Sequence, residues 1–155
     1  MNKLPRFFSD YIRQEKLFVH QQRLLVAVSG GLDSVVLCHL LRVAGYDFEI
    51  AHVNFGLRGE ESVRDAGFVQ SLAASLNLKL HITTVDTAAY AHNNKCSIQV
   101  AARELRYQWF EELLGASAHT AAPLELLLTA HHANDNAETV LLNLFRGTGL
   151  QGMLG

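Results

Sequence analysis

Residues 24–34, LLVAVSGGLDS, restrict the architecture more than any other stretch of the chain. LLVAV is an unbroken apolar run, the pattern of a strand buried on both faces. It gives way to two adjacent glycines, and SVVLCHLLRVAG then runs at helical spacing to a stop at Gly45. A strand leading through a bare turn into a helix is the first half of a parallel crossover. The alternation repeats along the chain. FEIAHVN (48–54) reads as a strand, EESVRDAGFVQSLAASLN as a helix, and LKLHITTV (78–85) as a third strand. Ile98, Ala101 or Ala102, Leu105, Trp109 and Leu113 mark one face of a helix, LELLLTA (124–130) a fourth strand, and ETVLLNLF (138–145) predicts a further helix. Phe7, Phe8, Tyr11, Ile12 and Leu17, within residues 6–18, predict a short amphipathic helix that covers the sheet. DTAAYAHNNK (86–95) and GASAHTAAP (115–123) are small and polar, so they read as surface connections. The expected fold is three-layer α/β: a mostly parallel sheet with right-handed crossovers and helices on both faces.

Composition narrows the function classes. With 155 residues, 49% of them apolar and 18% charged, the chain can bury one ordinary core. The formal charge of −2 supplies no domain-wide positive field, so affinity for RNA would have to come from elsewhere. Cys38 and Cys96 are far apart and in no paired spacing, which argues against a zinc ribbon, a redox dithiol or a disulfide scaffold. MNKLPRFFSDYIRQEK carries charges every few residues, which fits neither a secretory signal nor a membrane span, and a cytoplasmic protein is expected. The closing RGTGLQGMLG follows an apolar segment without a capping element, so the expectation is of a domain cut short at its C-terminal end.

Ligands of open parallel sheets sit at the carboxyl ends of the strands, where a helix N-terminus presents free N–H groups to an anion. SGGLDS occupies such a place. Gly30 and Gly31 allow close backbone approach to phosphate, and Ser29 and Ser34 offer hydroxyls. GxxxxGK[ST] and GxGxxG are both absent, so the turn is neither a Walker motif nor a dinucleotide fingerprint. An acid inside an anion site makes sense when a cation mediates, which places Asp33 as an Mg²⁺ ligand or near neighbour. The competing reading is that Asp33 or Ser34 only caps the helix.

SGGxDS after a buried strand resembles the PP-loop of the ATP pyrophosphatase superfamily, whose members split ATP between the α and β phosphates to adenylate an acceptor. A loop that holds a departing pyrophosphate needs no lysine tuned to γ-phosphoryl transfer. HVNFGLRGEES (52–62) is similar to the HVNHGLRGxES segment of tRNA(Ile)-lysidine synthetases, SIQVAARELRY (97–107) to their SxExxARxxRY, and TAHHANDNAETVLLNLFRGTGLQG (129–152) to their TAHHxDDQAETxLLxLxRGxGLxG. The resemblance covers nearly the whole chain. It implies a Rossmann-like, adenine nucleotide α-hydrolase-like domain spanning residues 1–155, with the tRNA-binding C-terminal domains lying outside it. The implied reaction is a ligase step. The wobble cytidine of isoleucine tRNA with anticodon CAU is adenylated by ATP with Mg²⁺, and L-lysine then displaces AMP. A homodimer stays open.

The implied nucleotide-binding residues are Ser29, Gly30, Gly31, Leu32, Asp33 and Ser34, with His52, Val53 and Asn54 at the end of the second strand. There His52 and Asn54 share one face and Val53 takes the other. Arg103 and Arg106, three apart, neighbour one another on a helix, where a guanidinium neutralises phosphate; such a pair is otherwise a solvated face. The resemblance singles out Arg103. His131, His132, Asp135 and Glu138 lack HExxH, which argues against zinc, and Asp135 with Glu138 also fits a helix-capping arrangement. Asp33, Arg103, His132 and Asp135 are the expected catalytic residues, with Asp33 and Asp135 as metal ligands and Glu138 structural. Phe55 stands where the family has a second histidine, Asn134 where it has an aspartate, Asn136 for glutamine and Gln99 for glutamate. Asn134 removes one anionic ligand, and Phe55 can move no proton. Rival readings are another adenylating PP-loop enzyme, such as a tRNA thiolase or an amidotransferase-type synthetase, and a non-catalytic ATP-binding module. The absence of CxxC speaks against a cluster-bearing thiolase.

Overall fold

Four apolar runs become the parallel strands of one sheet. The structure, a computed structural model, describes residues 3–132 and 140–146. In chain order the elements are α1 (Lys3–Gln14), β1 (Arg23–Ala27), α2 (Leu32–Val43), β2 (Phe48–Asn54), α3 (Glu60–Ser75), β3 (Leu80–Thr84), α4 (Thr87–Asn94), α5 (Ile98–Ser117), β4 (Leu124–His132) and β5 (Val140–Arg146). The sheet order is β3-β2-β1-β4-β5, with β1 to β4 mutually parallel.

Strand parity sorts the core into two layers. Leu24, Val26 and Val28 of the β1 segment pack with Ile12 of α1, Leu37 and Leu41 of α2, and Val69 and Leu72 of α3. Leu25 faces the other way, with Ala51, Leu127 and, from α5, Tyr107 and Phe110. β1 to β3 progress in one direction across the sheet, whereas β4 returns to the far side of β1. With one handedness of crossover, that reversal sends α5 to the face opposite α2 and α3. The order therefore switches at β1, and a crevice opens between the carboxyl ends of β1 and β4.

Two expectations are corrected. Residues 86–95 are not an irregular connection: Thr87–Asn94 is α4, capped by the Asp86 carboxylate, which accepts from Ala89 N at 2.9 Å. Lys95 closes it in the left-handed region at φ 52°, with Cys96 N donating to Ala91 O. Small residues gave this helix little apolar periodicity, and packing against α5 substitutes for it. The second concerns 138–145, expected as a helix. Val140–Arg146 is instead an edge strand antiparallel to β4, in register from Leu126 opposite Arg146 to His132 opposite Val140. Val140, Leu141, Leu142, Leu144 and Phe145 form a nearly continuous apolar run, and such a run satisfies a buried helix and a buried strand equally. An antiparallel edge strand on an otherwise parallel sheet is common.

The amino end of the sheet holds an ion cluster around one buried carboxylate. Glu49, 5% exposed, accepts from Arg23 Nη2 at 2.8 Å and His81 Nε2 at 2.6 Å, with Lys79 Nζ at 3.5 Å. Burial works to raise the Glu49 carboxyl. The hydrogen bonds from His81 and Arg23, with the Lys79 charge, outweigh it and leave the group below its ordinary value. A carboxyl depressed in the folded state contributes stability above the unfolded-state glutamate range and loses it as pH falls through the folded value. Glu49→Gln should therefore cost about 1–3 kcal/mol at pH 7, less than for a fully buried pair because Lys79 and Arg23 reach solvent. Urea titrations at pH 7 and pH 4 check this: the gap between wild type and variant should narrow in acid, and a gap that is independent of pH would contradict it.

Candidate active site

The phosphate turn is built from β1 outward. Val28 N donates to Ala51 O at 2.9 Å, tying the end of β1 to β2. Gly30 then adopts φ +95°, a region closed to side chains with a β-carbon, and Gly31 opens α2 with φ −73° and ψ 160°. The N-cap position of α2 falls on Gly31, with no side-chain cap hydrogen bond, and Asp33 lies within the first turn. The hydroxyls instead fold the turn on itself. Ser34 Oγ donates to Gly31 O at 2.9 Å, Gly31 N donates to Ser29 Oγ at 3.2 Å, and the two hydroxyls lie 3.4 Å apart. The first-turn N–H groups have no carbonyl within the helix to serve, and such groups at a helix N-terminus suit an anion. Asp33 is half-buried in that first turn, and Leu32 is exposed.

Beside the turn lies a cavity of about 150 Å³. Its apolar walls are Ala27, Ala51, Val53, Phe55 and Phe110 on the α5 side of the sheet, closed at the strand ends by Val28 and Ala130, and its polar lining residues are Ser29, Ser34, Arg106 and Thr129. Two of these are orphaned among the described residues: Arg106 Nε and Thr129 Oγ1 are buried without a hydrogen-bond partner. Thr129 is 3% exposed, so no solvent compensates it. Two unmet polar atoms beside the Ser29 and Ser34 hydroxyls, in a cavity with apolar walls, suit a polar ligand.

Strand parity decides which expected residues reach this cavity. His52 and Asn54 do share a face, and it is the other one: Val53 lines the cavity, while His52 is buried with Nδ1 2.7 Å from Val28 O. Asn54 Oδ1 accepts from Gly56 N at 2.9 Å and shapes the following loop. On α5, Arg103 is exposed and Arg106 reaches the cavity, each with its guanidinium over the Tyr107 ring, at 5.3 and 5.1 Å from the centroid. His132 is the last residue of β4, at the same end of the sheet as the turn. Asp135 and Glu138, with Asn134 and Asn136, lie outside the described residues.

Three neighbours escaped sequence reasoning. Thr129 opens the TAHH segment, in which the two adjacent histidines are the chemically conspicuous residues. Phe55, which moves no proton, is a cavity wall. Asp65 of α3 packs against the turn, so that a β-carbon added at Gly30 would lie 3.6 Å from its Cβ; no sequence signal marks it. Among the described residues no three carboxylates, histidines or cysteines gather into a metal cluster. Mg²⁺ bound mainly through phosphates needs only one or two carboxylates, so Asp33 at the turn fits such an ion. Burial pushes the Cys38 thiol up to about 12, which leaves it inert as a nucleophile.

The profile of the PP-loop domain family matches residues 2–155. A tRNA(Ile)-lysidine synthase of Bacteroides thetaiotaomicron is 51% identical over 146 residues, covering 94% of this chain and 33% of the relative. One from Chlorobaculum tepidum is 41% identical over 159 residues, covering all of this chain and 46% of its own. The chain thus spans less than half the length of these relatives. Among solved structures, the NH3-dependent NAD synthetase of Campylobacter jejuni superposes with a TM-score of 0.56 at 19% identity, over 82% of this chain and 56% of its own, a likeness of fold. No helix among the described residues is long and apolar enough to cross a membrane.

Proposed function

Because the chain belongs to the PP-loop domain family, we propose that it is the N-terminal ATP-handling domain of a cytoplasmic tRNA(Ile)-lysidine synthetase. ATP adenylates the C2 carbonyl oxygen of the wobble cytidine in the CAU anticodon, releasing pyrophosphate. The deprotonated ε-amine of lysine then attacks C2, and AMP departs with the C–O bond electrons.

The observation that carries this reading is the cavity at the β1/β4 crevice, where Arg106 Nε and Thr129 Oγ1 are left unmet beside the hydroxyls of Ser29 and Ser34. Main-chain N–H groups of the turn hold the β and γ phosphates as they leave. Arg106 and Thr129 receive the AMP portion, and Ala51, Val53, Phe55 and Phe110 keep water from the adenylate. Mg²⁺, when bound, would screen the charge of the departing pyrophosphate, with Asp33 and Asp135 as the residues to hold it. Arg103 and His132 are assigned to the rim by family resemblance, where each would face developing phosphate charge.

Mass analysis of isoleucine tRNA transcript, after incubation of the full-length protein with ATP, Mg²⁺ and lysine, tests the proposal. The expected product carries one lysine at the wobble cytidine, with AMP and pyrophosphate formed in equal amounts. Pyrophosphate release that needs a different acceptor would shift the assignment to another adenylating enzyme, and no release at all would remove the enzymatic reading.

A further inference from the structure

We propose that His52 is a positioning residue for the phosphate turn, acting through the main chain of β1 and touching no nucleotide itself. The inference rests on the nucleotide reading above. His52 is 4% exposed in the middle of the protein, yet it is not a cavity residue, because Ala51, Val53 and Phe55 take the cavity side of β2 and His52 takes the other. Its Nδ1 lies 2.7 Å from Val28 O. A carbonyl only accepts, so the proton of the imidazole sits on Nδ1. Val28 is the last residue before SGGLDS, and its own N–H is already committed to Ala51 O on the β2 side.

The geometry of one peptide unit supplies the consequence. Val28, one residue past β1, keeps its N–H on Ala51 O and its carbonyl oxygen on the His52 ring, so both point to the β2 side. The peptide joining Val28 to Ser29 is planar and trans. Fixing its oxygen toward β2 turns the Ser29 N–H toward β4, into the crevice that contains Thr129 and Arg106. His52 thereby aims the first N–H donor of the turn and removes the rotational freedom that a peptide next to a glycine would otherwise keep. It preorganises the cradle before ligand arrives, and a preorganised donor raises affinity without contact.

Asparagine provides the discriminating variant, because its side-chain nitrogen is as many bonds from Cα as Nδ1, whereas glutamine reaches the place of Nε2. In the full-length protein, His52→Ala and His52→Gln should raise the KM for ATP by about tenfold, the loss expected for one buried hydrogen bond. kcat and the KM for lysine should stay within about twofold, and His52→Asn should recover most of the loss. In ligand-free protein, the amide resonances of Ser29 and Gly30 should move in His52→Gln and return in His52→Asn. Thermal melts separate a variant that has unfolded, and His52→Asn against His52→Gln keeps the comparison if alanine does not fold. Equal KM values for Asn and Gln variants, or unchanged turn resonances, would overturn the positioning role alone. Wild-type protein that fails to bind Mg·ATP would instead take down the nucleotide reading and this inference with it.

Discussion

Gly30→Ala is expected to weaken Mg·ATP binding by about a hundredfold or more and to lower the melting temperature by several degrees. The cause is backbone strain. At φ +95° an alanine costs about 1–2 kcal/mol before anything else moves, and a turn that relaxes away from that angle withdraws its N–H groups from the phosphates. Crowding is not the reason, since the new methyl would meet Asp65 Cβ at 3.6 Å, an ordinary contact. Gly31→Ala provides the contrast. Gly31 sits at φ −73°, and its added carbon would lie 3.4 Å from Ser29 Oγ, so stability should hold and any loss should fall on nucleotide binding. Isothermal titration with a non-hydrolysable ATP analogue, alongside thermal melts, checks both variants. Equal melting temperatures for wild type and Gly30→Ala would contradict the strain argument.

Arg106→Ala should raise the KM for ATP by about 10- to 100-fold, the loss of one charge-assisted hydrogen bond, while stability changes little. Two opposing effects keep the fold nearly neutral. The variant loses the guanidinium stacked 5.1 Å from the Tyr107 centroid, and it also removes a buried donor that has no partner among the described residues. Arg106→Lys should rescue little, because an ammonium cannot both lie over the ring and present the Nε–H. Arg103→Ala separates the two arginines: Arg103 is exposed over the same ring, so an effect on kcat with unchanged KM for ATP would fit a role at the rim. Steady-state kinetics on both variants decides it. A silent Arg106→Ala beside an Arg103→Ala with a large rise in KM for ATP would contradict the assignment of the cavity.

Much of this site was legible in the chain itself, for reasons that differ from residue to residue. LLVAV announced a strand buried on both faces, and the glycine pair behind it located the turn, because only that combination needs backbone at φ +95° between a strand and a helix. FEIAHVN appears as β2 with the same bounds, Phe48–Asn54. Parity along it also showed that His52 and Asn54 share a face, but which face meets the ligand depends on where α5 crosses, and that is a property of the whole sheet order. The same gap separates Arg103 from Arg106. Their spacing makes them neighbours, and the face of α5 that the spacing marks does pack inward, with Ala101 buried and Trp109 and Leu113 against the Tyr107 and Phe110 cluster, but which arginine turns toward the strand ends depends on how the helix is rotated on the sheet. α4 stayed hidden because Thr87 to Asn94 offers caps and packing in place of periodicity, and Val140–Arg146 because an apolar heptamer suits either secondary structure.

The central claim is that the Ser29–Ser34 turn and the cavity beside it jointly hold ATP at the β1/β4 crevice. A crystal structure of the full-length protein with Mg²⁺ and a non-hydrolysable ATP analogue measures this directly. The account predicts phosphates within hydrogen-bond distance of the turn amides, with Arg106 Nε and Thr129 Oγ1 both newly paired to the AMP portion. A nucleotide bound elsewhere on the sheet, or one that leaves both of those atoms without a partner, would contradict it.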